Sequence, residues 1–359
     1  MMNFNMADKW RVQVLRSWDE VDDPSFLEQW ADWMRRSDDS HVFNHPLLVK
    51  TWTDTYRGIW NISPLYVLAE KNDVFVLFPL VLWRMNWKNA FIKKIIPAGY
   101  SDYDYHDPLV VGEVVDGELC SFWEAFCRVF LEEWKGVYDV FDLIGIVRPC
   151  KNMPWKEEEA CPYIDMSRYE NYEDYLTKSS KSLRGDIRRK TRMLEKYGTM
   201  SFNIYGQDSL DKALETLGIF LNVHRAKWPN AYKAPGFHEN LLINTLPANL
   251  LHFSEVCIND VPVSWELNFI YKNILYYYMP VFSEEYAKCS PGRVHLSFLV
   301  EESFRNGVRV FDFMRGSEEY KRKWANAEAE VYRYGFNRNA FPSRAKFLLR
   351  NVMMYAKSG

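Results

Sequence analysis

The residues 289–299, CSPGRVHLSFL, follow a very apolar, strand-like run, ILYYYMPVF, after the short link SEEYAK. Ser290 can cap the first free N–H groups of a helix, and Pro291 suits the first helical position. Gly292 and Arg293 add a second possibility. A small residue and a cation at a helix N-terminus leave backbone N–H groups open to an anion such as a pyrophosphate. A second polar concentration is GYSDYDYHDPLV, residues 99–110. There Asp102, Asp104, His106 and Asp107 can hold an ammonium group and take its proton, with His106 the best general base by intrinsic pKa. Tyr103 and Tyr105 can pack on a sugar or a base. The same segment also reads as a surface turn rich in Asp and Tyr. Trp265 and Glu266 lie in the run VPVSWELNFIY. A carboxylate flanked by apolar residues in such a strand must be paired, exposed on one face, or functional.

Other chemistries are absent from the sequence. It has no GxSxG elbow, no HExxH and no CxxC pair, so neither a serine hydrolase nor a zinc site is expected. His41 and His45 are four apart, but Asn44-His45-Pro46 reads as a helix entry. The six cysteines read as reduced thiols. With 359 residues, 48% hydrophobic and 26% charged, the chain is a folded protein long enough for two domains. Aromatic residues at 16% point to large apolar pockets or faces. A net charge of −3 gives no reason to expect nucleic acid. The first twenty residues lack an apolar leader core, and no apolar run could span a membrane, so a cytoplasmic protein without membrane insertion is expected.

The elements that must position these residues appear twice. In the second half a helix near 208–224 precedes the strands LLHFSEVCI, VPVSWELNFIY and ILYYYMPVF, with Asn259-Asp260 and Lys272-Asn273 as turns. A helix from 291 to 305 and the strand VRVFDFM follow. The first half repeats the order with SFLEQWADWMRR, HPLLVKTWTDTY, PLYVLAE, VFVLFPLVLWRM, FIKKIIPAG, ELCSFWEAFCRVFLEEW and VYDVFDLIGI. Two similar α/β domains on mixed sheets are therefore expected, at 1–165 and 201–359, joined by a basic helix within 166–200. That helix carries Leu183, Ile187, Leu194 and Tyr197 as an apolar stripe among many cations. It reads as a solvated helix docked along one stripe, or as a phosphate-facing element.

YLTKSSKSLRGDIRRKTRMLEKYG, HRAKW and SPGRVHLSFLVEESFRNGVRVFDFMRGSEEYKRKW together resemble the acetyltransferase-like proteins once grouped as cellulose-biosynthesis accessory proteins, within the GCN5-related N-acetyltransferase (GNAT) superfamily. The doubled organisation is also similar to the peptidoglycan-building aminoacyl transferases and to nucleotide-amino-sugar N-acyltransferases. The resemblance implies two tandem acetyltransferase-like domains with a cleft between them, and acyl transfer from a thioester to an amine. It implies coenzyme A as the acyl carrier, its pyrophosphate at Ser290, Pro291, Gly292 and Arg293, with Arg315 and Lys321 assisting. The acceptor side would be the first domain, using Asp102, Tyr103, Asp104, Tyr105 and Asp107, with Trp265 from the second. His106, Glu266 and Tyr278 would be catalytic. Strand alternation puts Tyr276 and Tyr278 on one face and Tyr277 on the other, and one of them could protonate the leaving thiolate. The expected acceptor is a dTDP- or UDP-linked amino-dideoxy sugar for bacterial lipopolysaccharide, acylated with acetyl or a larger group such as 3-hydroxybutyryl. An aminoacyl-tRNA-dependent peptide transferase and a non-catalytic scaffold are the alternatives.

Overall fold

The computed structural model describes residues 9–113 and 117–358; residues 1–8, where the stretch inspected for a leader begins, lie outside the described residues. The chain opens with β1 (Arg11–Leu15), α1 (Trp18–Val21), α2 (Pro24–Arg36) and α3 (Pro46–Arg57). It continues through β2 (Ile62–Lys71), β3 (Val74–Arg84), β4 (Lys93–Pro97), β5 (Leu109–Val111), α4 (Glu118–Arg128) and β6 (Val140–Ile146). Then come β7 (Lys156–Asp165), α5 (Tyr172–Lys178), α6 (Lys181–Glu195), β8 (Met200–Tyr205), α7 (Leu210–Lys227) and α8 (Phe237–Thr245). β9 (Leu251–Ile258), β10 (Val261–Tyr271), β11 (Ile274–Phe282), α9 (Pro291–Arg305), β12 (Val310–Asp312) and α10 (Glu319–Trp324) follow. β13 (Ala327–Asn337) and α11 (Phe341–Ser358) complete the order.

Local chemistry accounts for the element ends. Asp23 accepts from the Ser25 and Phe26 N–H groups ahead of Pro24, so α2 starts there. His45 caps α3 through Nδ1, which accepts from the Leu47 N–H at 3.2 Å, so the histidine before Pro46 is a helix entry as read. Asn259-Asp260 and Lys272-Asn273 have both φ values positive, the geometry of tight hairpin turns. Gly307, at φ 71°, ends α9.

Two units result, Met1–Glu158 with Val331–Gly359, and Glu159–Glu330. In the first the strand order is β1-β2-β3-β4-β6-β13, with β5 on β3. In the second it is β7-β12-β11-β10-β9-β8. Every pairing within these sheets is antiparallel except one in each: β4 with β6, and β11 with β12. With α1 and β5 set aside, the runs β1–α2–α3–β2–β3–β4–α4–β6 and β8–α7–α8–β9–β10–β11–α9–β12 correspond, so the repeat read from the sequence is present. The expected boundaries at 165, 200 and 359 differ from this division. β7 follows β6 in sequence, yet its residues 163–165 lie on β12. β13 follows β12, yet its residues 332–337 lie on β6. Local periodicity identifies a strand but not its partner.

Much of the aromatic content is core. Trp30, Trp52 and Trp123 are fully buried in the first unit. In the second, Leu299 and Val300 of α9 pack with Tyr175, Phe311, Phe313 and Trp324. Under β13, the buried Asp142 accepts two hydrogen bonds from Arg333, at 2.6 and 2.9 Å, and one from the Tyr100 hydroxyl at 2.9 Å. Lys94 Nζ lies 2.6 Å from the same carboxylate. Burial alone would raise the Asp142 pKa, but the Lys94 and Arg333 charges overcome it and hold the group below its usual value. Its contribution to stability is therefore complete above the ordinary aspartate range and lost as pH falls through it toward the lower folded value. Asp142→Asn is expected to cost about 2–3 kcal/mol at neutral pH, less than breaking a fully buried pair because Arg333 is partly exposed. Thermal unfolding between about pH 3 and pH 7 checks this, with the variant's midpoint varying less below about pH 4 than the parent's.

Candidate active site

The centre of the second unit is a parallel pair that parts. β11 and β12 are in register only from Ile274–Val310 to Tyr276–Asp312. Beyond Asp312 the chain leaves β11: the Phe313 N–H donates to the Pro162 carbonyl, and Met314 takes φ 59° with its N–H on Asp312 Oδ1 at 2.7 Å. β11 itself continues to Phe282. Its register with β10 slips between Leu267–Met279 and Phe269–Tyr276, which places an extra residue on β11 at the point of parting. Asn268 Oδ1 accepts the Tyr278 N–H there, at 3.2 Å. The alternation expected of the three tyrosines holds across the bulge: Tyr278, half-buried, has its ring on Phe269, the partner of Tyr276, while Tyr277 is buried with Leu275 in the core under α9.

The helix start after β11 also differs from a plain cap. Pro291 is the first helical residue, as expected, but Ser290 has φ 51° and ψ 59° and makes no side-chain cap bond. A capping side chain needs an extended backbone, and this one is left-handed, a conformation costing about 1–2 kcal/mol for a residue with a Cβ. Gly292 lets the helix start lie close to the strand end, since a Cβ there would meet the Phe282 ring at 3.2 Å. Arg293 pairs with Asp186 of α6, which also takes Arg189 at 2.5 Å. Although burial acts to raise it, these two guanidinium groups keep the Asp186 carboxyl below its usual range. Lys190 Nζ donates to the Lys288 carbonyl at 2.9 Å, so α6 fastens the loop that leads into α9. α6 docks by Leu183, Ile187 and Leu194 as read, while Tyr197 remains exposed. Between α6, the α9 start and α10 lies a pocket of about 540 Å³, lined by Gly185, Asp186, Arg189, Arg293, Tyr320 and Lys323 among others.

Behind the parted strands is a buried polar network. Glu266 is fully buried and accepts from the Tyr277 hydroxyl at 3.1 Å. His295 of α9 bridges the Ser254 and Ser264 hydroxyls, at 3.0 and 3.1 Å, with Nε2 3.9 Å from the Glu266 carboxyl. Burial raises the Glu266 pKa well above its usual value, against a smaller lowering by Tyr277, and holds the His295 imidazole neutral. Burial thus favours the protonated form of Glu266 and works against its use as a ready base. His295 was missed in the sequence, where its one signal is a histidine on the apolar face of a helix, four residues after its proline.

The other expected site residues fall elsewhere. The acceptor loop is internal to the first unit. Tyr103 donates to the Leu48 carbonyl at 3.0 Å, and Tyr105 packs on Phe43. His106 is buried, with its N–H on the Gly145 carbonyl at 2.8 Å. The Asp107 carboxylate accepts from the Val147 and Arg148 N–H groups at 3.0 and 2.8 Å. Asp102 takes the Trp52 indole N–H at 2.9 Å, and Asp104 is half-buried, with its carbonyl against Gly145. These contacts correct the acceptor-loop expectation for the buried members, because the segment refolds along β6 instead of projecting. Trp265 is buried on the sheet face opposite Glu266. Lys321 is buried with Nζ donating to the Arg315 carbonyl at 2.5 Å and lying 3.1 Å from Glu318, while Arg315 faces Glu159 at 3.4 Å. Both brace the 315–321 loop. Arg189 and Lys323 supply the pocket's cations with Arg293; their signal lay in the basic runs RRK and YKRKW, which sequence alone reads as solvated faces. Among the described residues no His, Cys, Asp or Glu group could hold a metal ion.

Two substitutions separate strain from chemistry here. Ser290→Val is expected to lower stability by about 1–2 kcal/mol, while Ser290→Gly keeps or raises it, as thermal unfolding would show. Because the folded-state pKa of Glu266 is raised, its ionisation opposes folding increasingly as pH rises above the usual glutamate value. Glu266→Gln should therefore match the parent's stability at pH 5 and equal or exceed it at pH 8.

Residues 181–322 match the family described as the acetyltransferase (GNAT) domain. Among solved structures, FemX aligns with a TM-score of 0.61 at 9% identity, over 90% of this chain and 98% of that one. The C-terminal domain assigned to a lysylphosphatidylglycerol synthetase of Agrobacterium fabrum aligns at 0.55 and 13% identity, over 91% and 96%. A conserved protein of unknown function from Bacteroides thetaiotaomicron VPI-5482 aligns at 0.52 and 13%, over 89% and 99%. These likenesses are of fold. No curated protein matches the chain. The parted strands and the α9 start fall inside the segment that matches this family, which runs from α6 into α10.

Proposed function

We propose that the chain is an acyl-CoA-dependent N-acyltransferase whose donor site is the parted β11–β12 pair with the α9 start. The observation that carries this reading is the helix start without a side-chain cap, held in a left-handed turn at Ser290 beside Arg293 and the 540 Å³ pocket. A pyrophosphate fits a helix N-terminus flanked by a guanidinium. The thioester supplies the activated acyl carbon. The acceptor nitrogen attacks it, a C–N bond forms as the C–S bond breaks, the nitrogen sheds a proton, and the thiolate takes one up. Tyr278, at the bulge, is the residue we assign to the thiolate. Glu266, which accepts from the Tyr277 hydroxyl, orients that tyrosine. With His106 buried, water is the assigned acceptor of the amine proton.

The acceptor we propose is the amine of a dTDP- or UDP-linked amino-dideoxy sugar for bacterial surface polysaccharide, on the family resemblance. An aminoacyl-tRNA donor is the second reading, favoured by the exposed cations Lys181, Arg188, Arg192 and Lys196 on α6. Thiol release from a panel of acyl-CoAs mixed with nucleotide-linked amino sugars tests the first. Release that needs both donor and one acceptor is expected. Arg293→Ala should raise KM for the acyl-CoA roughly tenfold with a smaller change in kcat. No release by the folded protein, with transfer from aminoacyl-tRNA instead, would sink the acyl-CoA reading.

A further inference from the structure

α11 is amphipathic, but it presents the opposite face to the one a surface helix normally buries. Its inward side is polar: the Ser343 hydroxyl and Lys346 Nζ both reach the Asp139 carboxylate at 2.6 Å, and Ser343 is fully buried. Its outward side carries Phe341, Leu348, Leu349 and Val352, with Phe341 84% and Leu348 67% exposed. The spacing 341, 345, 348, 349, 352 is one helical stripe. The 3₁₀ turn Trp87–Asn89 packs against the same helix, and it adds two more exposed aromatics, Trp87 and Phe91. Ala90 and Phe91 both have φ 53°, an unfavourable conformation for residues with a Cβ, and while Ala90 is buried, Phe91 is held outward at 63% exposure. An exposed apolar patch of this kind marks a surface that binds something.

Charge names the partner. Residues 331–354 contain Arg333, Arg338, Arg344, Lys346 and Arg350 and no carboxylate side chain, in a chain of net charge −3. Residues 84–94 contain Arg84, Lys88, Lys93 and Lys94, also without a carboxylate. The acids beneath, Asp139 and Asp142, are already engaged by Lys346, and by Lys94 and Arg333. Exposed Arg344 and Lys88 flank the aliphatic stripe and the aromatic pair. A helix with an apolar outer face, aromatic neighbours and only cationic charge is the composition that lies in the interface of an anionic bilayer. No described helix is long and apolar enough to cross one.

We propose that the α11 face, with Trp87 and Phe91, seats the first unit on an anionic lipid surface. None of these residues belongs to the donor site, so the proposal is independent of the acyl-transfer reading. Co-sedimentation of the full chain with phosphatidylcholine vesicles, with and without phosphatidylglycerol, tests it. Binding only to the phosphatidylglycerol vesicles, weakening as salt is raised, is expected. Leu348→Glu with Leu349→Glu, and separately Trp87→Ser with Phe91→Ser, should each weaken that binding roughly tenfold or more with the circular dichroism spectrum and thiol release in solution unchanged. A folded parent that ignores the phosphatidylglycerol vesicles overturns the proposal, as does binding that survives both pairs of substitutions. A dimer in sedimentation velocity that Leu348→Glu with Leu349→Glu makes monomeric, without vesicle binding, gives the face to a second copy instead.

Discussion

Two parallel strands that pair for three residues and then part impose the central constraint on the second unit. A parallel ladder satisfies backbone groups on both strands, so strands that separate leave a row of N–H and C=O groups to be satisfied otherwise. Neighbouring features follow from this. The bulge on β11 swings that strand away, Asn268 takes the freed Tyr278 N–H, and Asp312 takes the Met314 N–H where β12 ends. The chain past β12 finds the Pro162 and Ala160 carbonyls instead of β11. α9 then starts from the end of the strand that moved. Its first turn makes no side-chain cap bond, and α6 is braced against it through Arg293–Asp186 and Lys190. Strain at Ser290, retained where an ordinary extended serine would have capped the helix, is consistent with a turn shaped for something other than stability.

The first unit shows what the same topology does when the opening is closed. β4 and β6 are its parallel pair, in register only at Lys94–Val140 and Ile95–Phe141. Here the chain after β4 comes back along β6. The His106 N–H meets the Gly145 carbonyl, the Asp107 carboxylate meets the Val147 and Arg148 N–H groups, and Gly145 at φ 64° leaves no room for a Cβ against the Asp104 carbonyl. The place beside the first unit's parallel pair is thus filled by its own polypeptide. The acidic, aromatic character of GYSDYDYHD is the composition such a plug needs, because a buried segment must carry acceptors for backbone N–H groups and rings to fill space.

This explains which parts of the molecule were legible in the sequence. The helices and strands of the doubled core were, because their apolar spacing is local: α9 begins at Pro291 and ends at Arg305 as its proline, its stripe and Asn306-Gly307 require, and the hairpin turns fall at Asn259-Asp260 and Lys272-Asn273, while β1, β7, β8, β13 and α11 were not singled out. The doubled order was legible for the same reason. The function of GYSDYDYHD was not, since Asp, Tyr and His suit a ligand and a buried plug equally, and only a long-range partner decides. Glu266 was recognised as anomalous, but its pairing with Tyr277 and its neighbour His295 depend on a helix packing over the sheet. Lys321 illustrates the limit at a single residue: a lysine in a basic run looks like a phosphate contact, yet its ammonium closes a loop on the Arg315 carbonyl.

The exchange of final strands has a consequence for how the fold is reached. β6 cannot complete its sheet edge until residues 332–337 arrive, after the whole of the second unit has been made. Until then the β6 edge offers unpaired N–H and C=O groups, and contacts of such large sequence separation form slowly because loop closure precedes any gain from them. The Asp142 cluster lies where this late contact is made. Lys94 and Tyr100 are in place early, while Arg333 comes with β13, so the carboxylate is neutralised on one side by local sequence and on the other only when the last strand docks. Electrostatic completion and sheet completion thus involve the same strand, which is held by that guanidinium, by its ladder with β6, and by Tyr334 and Phe336 packed against the core.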